Sequence, residues 1–256
     1  MVEKLQCDLT NLKYFVSFLS TSGSGHSLLS SLIDAHKDAI VSRECCLIRQ
    51  MTRTNGELHY NRELTFAPII RNSSNYTKRN RFHSGSQTYH LVPGQFNGFS
   101  KKPIVIGDKN GYGTVSGIYN ADYVIRDILG IPIHYIHVYR NPYDTIAYLN
   151  RFYKSGLGGT TAKVLRRLDC IDKVLYKVGD YLSIRYEDLM LDTSSILNKV
   201  LSYLDLPIYK GFIESCRKVL RPGLLHFKQT IDWPIEQITK INNFCSNIEY
   251  LRFAIV

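Results

Sequence analysis

Residues 14–19 read YFVSFL, an apolar, β-rich run with no polar alternation. Such a run predicts a strand buried on both faces, as in a parallel sheet with helices on either side. It is followed by STSGSGH and then by SLLSSLIDA (27–35), which puts Leu28, Leu29, Leu32 and Ile33 on one helical face. Strand, loop of small residues and helix in this order fit either an ordinary turn or an anion cradle. Backbone N–H groups point inward, and the helix N-terminus adds the positive end of its dipole. Gly23 and Gly25 let the backbone approach an anion closely, while Ser24, His26 and Ser27 add side-chain donors. A kinase or GTPase loop needs G-x-x-x-x-G-K-[ST]. Here the residue before Ser27 is His26, so a nucleotide or sugar kinase is disfavoured.

The alternation continues downstream. PIVIGDK (103–109) and IPIHYIHVY (131–139) predict strands, with a helix expected over 118–129 between them. Pro142 opens a further helix. Val164, Leu165, Leu168, Ile171, Val174 and Leu175 repeat at helical spacing, closed by Gly179. YLSIRY (181–186) predicts another strand, and SSILNKVLSYLDLP a helix ending before Pro207. Together these predict one α/β domain over 1–256, with a doubly wound parallel sheet and ligands at the strand C-termini. Residues 52–102, rich in Asn, Arg, Tyr, Ser and Gly, read as loops with short helical pieces over the sheet edge. A segment of that length suggests a lid over an acceptor site.

Hydrophobic residues make up 44% of the 256, enough for a sizeable core, and the formal charge is +10. The charge reads either as a solvated basic surface or as attraction for an anion, without choosing among nucleic acid, an acidic membrane surface, a glycan and a multiply charged cofactor. The six cysteines show neither C-x-x-C nor zinc spacing and read as reduced packing thiols. No run approaches the ~20 apolar residues of a membrane helix. No signal-peptide pattern is present, so a cytoplasmic protein without a membrane segment is expected, and the sequons at Asn72 and Asn75 are expected to stay unmodified.

Three downstream segments sharpen the reading: VIGDKNGYG after a strand, IHVYRNPYDTIAYLNRFY, and YLSIRYEDLMLDTSSILNKVLSYLDLP. In this order, with the first loop, the chain resembles the sulfotransferases that use 3′-phosphoadenosine 5′-phosphosulfate (PAPS). The resemblance covers roughly residues 14–46 and 103–251 and leaves 52–102 without a counterpart. It implies a single P-loop-like α/β domain in which Ser22, Gly23, Ser24, Gly25, His26 and Ser27 grip the 5′-phosphosulfate. It places Arg140 on the 3′-phosphate, where a planar guanidinium suits the anion. Tyr186 falls near adenine, or is a packed aromatic at a strand end. A basic residue among Arg217, Lys218, Arg221 and Lys228 also reaches the 3′-phosphate in this reading, and Trp233 begins the terminal helix. Two departures stand out. The family carries Lys or Arg where Gly23 stands, and a Ser where Tyr148 stands, eight residues after Arg140.

Sulfuryl transfer, like phosphoryl transfer, depends on positioning and charge stabilisation of an in-line displacement. The resemblance makes Lys109 the cation at the transferred group and Glu44 the base for the acceptor. Each also reads as a surface charge, Glu44 with Arg43 or Arg49 as ion-pair partner. His26 and His90 are alternative bases, with His26 first a phosphate donor. Asp108 is expected to orient Lys109 or the acceptor, and Asp144 and Glu187 to stabilise the fold. The expected reaction moves a sulfuryl group from PAPS to a hydroxyl or amine of a small-molecule or carbohydrate acceptor. It releases adenosine 3′,5′-bisphosphate, needs no metal and involves no nucleic acid. The alternative is a polyanion- or nucleic-acid-binding module on a degenerate P-loop fold, served by the basic, Tyr-rich 52–102 segment.

Overall fold

The computed structural model describes residues 7–48, 62–78, 90–118, 130–220 and 227–255. Five strands form one parallel sheet: β1 (Tyr14–Leu19), β2 (Ala39–Arg43), β3 (Val105–Lys109), β4 (Ile133–Tyr139) and β5 (Leu182–Arg185). Their order is β2-β3-β1-β4-β5. β1 is central, paired to β3 from Tyr14↔Val105 and to β4 from Phe15↔Ile133. Side chains alternate across a sheet. Phe15 and Leu19 therefore enter one core layer and Val16 and Phe18 the other. All four are fully buried.

Helices cover both faces, as the sequence predicted. α1 (His26–Asp34) buries Leu28, Leu29, Leu32 and Ile33 against the Val16 and Phe18 side. Fully burying such a side chain contributes about 1.5–3 kcal/mol. On the Phe15 side lie α2 (Arg62–Lys78), α3 (Pro142–Asn150), α4 (Gly156–Val178) and, near the C-terminus, Ile235–Ser246. The predicted stripe of α4, from Val164 to Leu175, is buried along its whole length, and the Gly179 N–H closes the helix on the Leu175 carbonyl. α5 (Tyr186–Leu191), α6 (Thr193–Tyr203) and α7 (Phe212–Arg217) join α1 on the opposite face, and Ile235–Ser246 becomes α8. All six cysteines are free thiols, with Cys216 and Cys245 buried. Of the predicted 118–129 helix, residues 119–129 lie outside the described residues, while 112–118 are helical.

One expectation needs correcting. Within 52–102, residues 62–78 form a single 17-residue helix, not short pieces, and it does pack over the edge strand β2. Phe66 and Ile69 are fully buried, and the Phe66 ring stacks 6.1 Å from Phe15. Two features hid this helix. Its apolar residues are few, and Pro68 stands inside it, where proline ordinarily breaks a helix. Packing against the sheet overrides weak local propensity here. Asn72, at the first sequon, donates its side-chain amide to the Arg43 carbonyl at 2.9 Å.

β4 carries a buried histidine across the same layer. His137 Nδ1 lies 3.0 Å from Ser183 Oγ, and its ring meets Tyr139 and Tyr250. Burial pushes His137 down to about 3 from its ordinary value of 6.5. A depressed folded-state value means that the stabilisation is fully present above pH 6.5 and is lost as the pH falls toward 3. Between pH 7 and 5 this one group is expected to remove about 2 kcal/mol. His137→Asn keeps a hydrogen-bonding atom toward Ser183 but does not titrate. Urea unfolding at both pH values is expected to show a loss smaller by that amount in the variant. An equal loss in both proteins means that His137 is not held neutral.

Candidate functional site

In the order β2-β3-β1-β4-β5 the chain crosses from one side of the sheet to the other between β3 and β4. The loops leaving β1 and β4 thus meet at the C-terminal edge of neighbouring strands, where α/β sheets form their crevice. Ser20 Oγ accepts from the Val138 N–H at 3.2 Å and ties the first of these loops to β4. In that loop Gly23 (φ 83°) and Gly25 (φ 92°) are left-handed, a conformation that L side chains resist. A Cβ on Gly25 would overlap the Tyr186 ring, so this position also needs glycine for space. Gly25 caps α1 without a side-chain partner. Among the described residues, no acceptor takes the N–H groups of Gly25, His26 and Ser27.

Arg140 follows β4. Its Nη1 donates to the Gly23 carbonyl at 3.4 Å, and its guanidinium lies 4.8 Å from the Tyr186 ring and 5.4 Å from Phe227. Tyr148 packs against Phe152 and Phe227. Burial raises the Tyr186 phenol while Arg140 opposes the shift, so the ring is an apolar, protonated wall. Two carboxylates build this corner. Glu187 accepts from the Asn141 N–H at 3.0 Å and from Arg185 Nε at 3.1 Å. Asp144 accepts from the Lys228 N–H at 2.7 Å, which holds the Phe227–Thr230 turn in place. Both are structural, as their sequence context implied. Trp233 donates its indole N–H to the Lys228 carbonyl, and the terminal helix starts two residues later, at Ile235.

On the other side of the first loop, β2 and β3 bring Arg43 level with Lys109. Glu44 then turns left-handed at φ 50°, and its N–H donates to the Lys109 carbonyl at 2.9 Å. The turn swings the Glu44 carboxylate back onto Lys109, with Oε1 2.9 Å from Nζ. The ammonium is almost fully buried, its side chain 1% exposed, whereas that of Glu44 is 38% exposed. Lys109 is therefore beneath the carboxylate and does not line the cavity. Burial lowers its pKa, opposed by the charge of Glu44. Asp108 does not orient Lys109 by a hydrogen bond. Its carboxylate accepts from the Cys45 and Leu47 N–H groups, both at 2.9 Å, and from Ser42 Oγ, and so fixes the turn that presents Glu44. Burial raises the Asp108 pKa against these bonds.

His26 sits between the two halves. Burial first, then the charges of Lys109 and Arg43, hold its pKa well below the ordinary range, so the imidazole is neutral at pH 7. Nδ1 lies 3.2 Å from Ser24 Oγ, and Gly111 packs against the other ring nitrogen. Ser24 is accordingly turned inward, fully buried.

A cavity of about 850 Å³ opens over this arrangement. Ser22, Gly23, Gly25, His26, Ser27, Glu44, Arg140, Tyr148 and Tyr186 line it. Of the residues singled out from sequence for chemistry, Ser24, Asp108 and Lys109 are set back behind the wall, and Lys228 is not in the lining. His90 reaches the rim together with Leu91. Lys218 lines the cavity, but Arg217 faces a separate depression of about 360 Å³ beside Asp192. Arg221 lies outside the described residues. Sequence reasoning missed Asn110, Tyr112, Arg167 and Phe227 in the lining. Arg167 looked like one more cation on the polar face of an amphipathic helix, and only the partner loop identifies it. Among the described residues no three His, Cys, Asp or Glu side chains gather to hold a metal ion, and no helix is long and apolar enough to cross a membrane.

No protein-family model matches the chain, and no curated protein matches it in sequence. Solved structures do. The sulfotransferase domain of the Synechococcus PCC 7002 olefin synthase aligns with a TM-score of 0.54 at 16% identity, over 93% of this chain and 97% of that one. The sulfotransferase domain from the curacin biosynthetic pathway gives 0.52 at 13%, over 93% and 98%. Sulfotransferase STF9 from Mycobacterium avium gives 0.51 at 11%, over 93% and 77%. At these identities the likeness is one of architecture: the chain has the single-domain, P-loop-like α/β fold of sulfotransferases.

Proposed function

We propose that this chain is a sulfotransferase that moves a sulfuryl group from PAPS to a hydroxyl or amine of a small-molecule or carbohydrate acceptor. The observation that carries this reading is the cavity at the sheet crossover. It combines unpartnered N–H groups at the start of α1 with Arg140, Arg167 and Lys218, and Glu44 is the one carboxylate among its described lining residues. A ligand with anionic groups at two ends fits such a lining, and the aromatic walls Tyr148, Tyr186 and Phe227 suit a nucleobase between them.

In this reading loop 22–27 holds the 5′-phosphosulfate, and Arg140 with Lys218 holds the 3′-phosphate. PAPS supplies an activated sulfuryl group whose bond to the 5′-phosphate breaks as the acceptor oxygen or nitrogen bonds to sulfur. The leaving electron pair stays on the bisphosphate. Glu44 takes the acceptor proton, and Lys109 fixes the carboxylate from below. His26, neutral, acts as a hydrogen-bonding group on the floor. His90 and Leu91, at the end of the 52–102 segment, shape the acceptor side.

Two outcomes test the assignment. Arg140→Ala is expected to abolish thermal stabilisation by adenosine 3′,5′-bisphosphate while leaving that by adenosine 5′-phosphosulfate, which lacks the 3′-phosphate, nearly unchanged. Equal loss for both ligands removes Arg140 from the 3′-phosphate. Glu44→Gln is expected to lower turnover by roughly 100- to 10,000-fold, the usual worth of a general base. Bisphosphate affinity should stay constant. Retention of the wild-type rate sinks Glu44 as the base. Salt-sensitive binding of polyanions without any response to the bisphosphate would instead favour a binding module.

A further inference from the structure

Arg167 projects from the middle of α4 toward the first loop. Its Nη1 donates to Tyr153 Oη at 3.1 Å and lies 3.5 Å from Ser22 Oγ, while its guanidinium sits 4.9 Å from the Tyr112 ring. These partners are all neutral. Lys109, Lys173 and Arg185 each have a carboxylate, but among the described residues none pairs with Arg167. The side chain is thus held in one place without its charge being offset. A guanidinium has five N–H donors in a rigid fork, and contacts through Nη1 leave others to face the cavity.

The first loop, STSGSG, has no cation of its own. Two arginines reach it from other elements, Arg167 at Ser22 and Arg140 at Gly23. Their surroundings separate them. Arg140 belongs to the wall of Tyr186 and Phe227. Arg167 stacks on Tyr112, which follows Gly111, the residue packed against His26. Arg167 therefore stands on the side of the cavity where the neutral His26 and the Glu44–Lys109 pair are. Lys109 is buried and already balanced, so it is not available to an anion in the cavity.

We infer that Arg167 is a donor-binding residue whose guanidinium holds the sulfonate end of the 5′-phosphosulfate over loop 22–27. The inference rests on the sulfuryl-transfer reading and adds to it the cation at the reacting end. It stabilises the group through charge-assisted hydrogen bonds that no residue of the loop itself makes with a side-chain cation.

Titration calorimetry with adenosine 5′-phosphosulfate and adenosine 5′-monophosphate, which differ by the sulfonate alone, tests it. Arg167→Ala is expected to weaken the phosphosulfate by about tenfold or more, ~1.4 kcal/mol per decade, and the monophosphate far less. Arg167→Lys keeps the charge and loses the fork, so an intermediate, equally selective loss is expected. That variant carries the test if the alanine protein fails to fold. Equal weakening of both nucleotides overturns the inference, as does unchanged phosphosulfate binding with a raised acceptor KM. If the wild-type protein binds adenosine 3′,5′-bisphosphate but the Arg167 variants show no selective loss of the phosphosulfate, this inference alone is overturned. Wild-type protein that binds no adenosine nucleotide overturns the sulfuryl-transfer reading and this inference with it.

Discussion

Everything at the site follows from burying β1 on both faces. Phe15 and Leu19 on one side, and Val16 and Phe18 on the other, demand apolar cover above and below the sheet. The chain supplies it by winding helices first over one side and then over the other. The crossover leaves the loops after β1 and β4 side by side at the C-terminal edge. Gly25 then makes room for the Tyr186 ring, Tyr186 backs Arg140, and Arg140 reaches the Gly23 carbonyl. The backbone of the first loop is thus braced by the next loops of the sheet, not by the first loop itself.

The placement of charge matters more than its sum. A formal charge of +10 would suit many anions, but the cavity gathers three of its cations around a backbone donor site. The Lys109–Glu44 pair is asymmetric in a useful way. Taking an ammonium out of water is costly unless a partner lies close, and Glu44 is 2.9 Å away. The carboxylate keeps its contact with solvent, so the pair carries most of its burial on the lysine. Asp108 locks the turn between them through backbone N–H groups, which keeps the Glu44 carboxylate aimed, and its own charge adds to the attraction on the lysine.

The sheet and most helices were legible because their apolar patterns are strong. YFVSFL, the α1 leucines and the α4 stripe each bury the residues their spacing indicated. α2 was illegible because two aromatic and aliphatic anchors and an internal proline carry little periodic signal, and the sheet supplies the missing stabilisation. At the site, residue types in sequence order pointed to loop 22–27, Glu44, Arg140, Tyr148 and Tyr186, which, Ser24 apart, do converge on one cavity. Side-chain direction was not legible. Ser24 turns inward to His26, and Lys109 lies under Glu44, because strand alternation and a left-handed turn at Glu44 set those directions. Arg167 was invisible for a different reason: nothing local distinguishes it from Arg166, one residue earlier and exposed on the same helix.

The Glu44–Lys109 geometry has a consequence for the proposed reaction. When Glu44 accepts the acceptor proton it loses its charge, and Lys109 loses its counter-ion in a buried setting. Asp108 still attracts the ammonium, but the burial that already lowers the Lys109 pKa makes the loss of its 2.9 Å partner costly. The pair therefore favours return of the proton to solvent once the product has formed, and the 38% exposure of Glu44 leaves the path open. Meanwhile His26, held neutral by burial and by Lys109 and Arg43, adds no further positive charge beside the unpaired lysine. A protonated imidazole there would raise the cost of each turnover. The neutral histidine and the half-exposed carboxylate are thus two parts of one electrostatic arrangement, and Lys109 connects them.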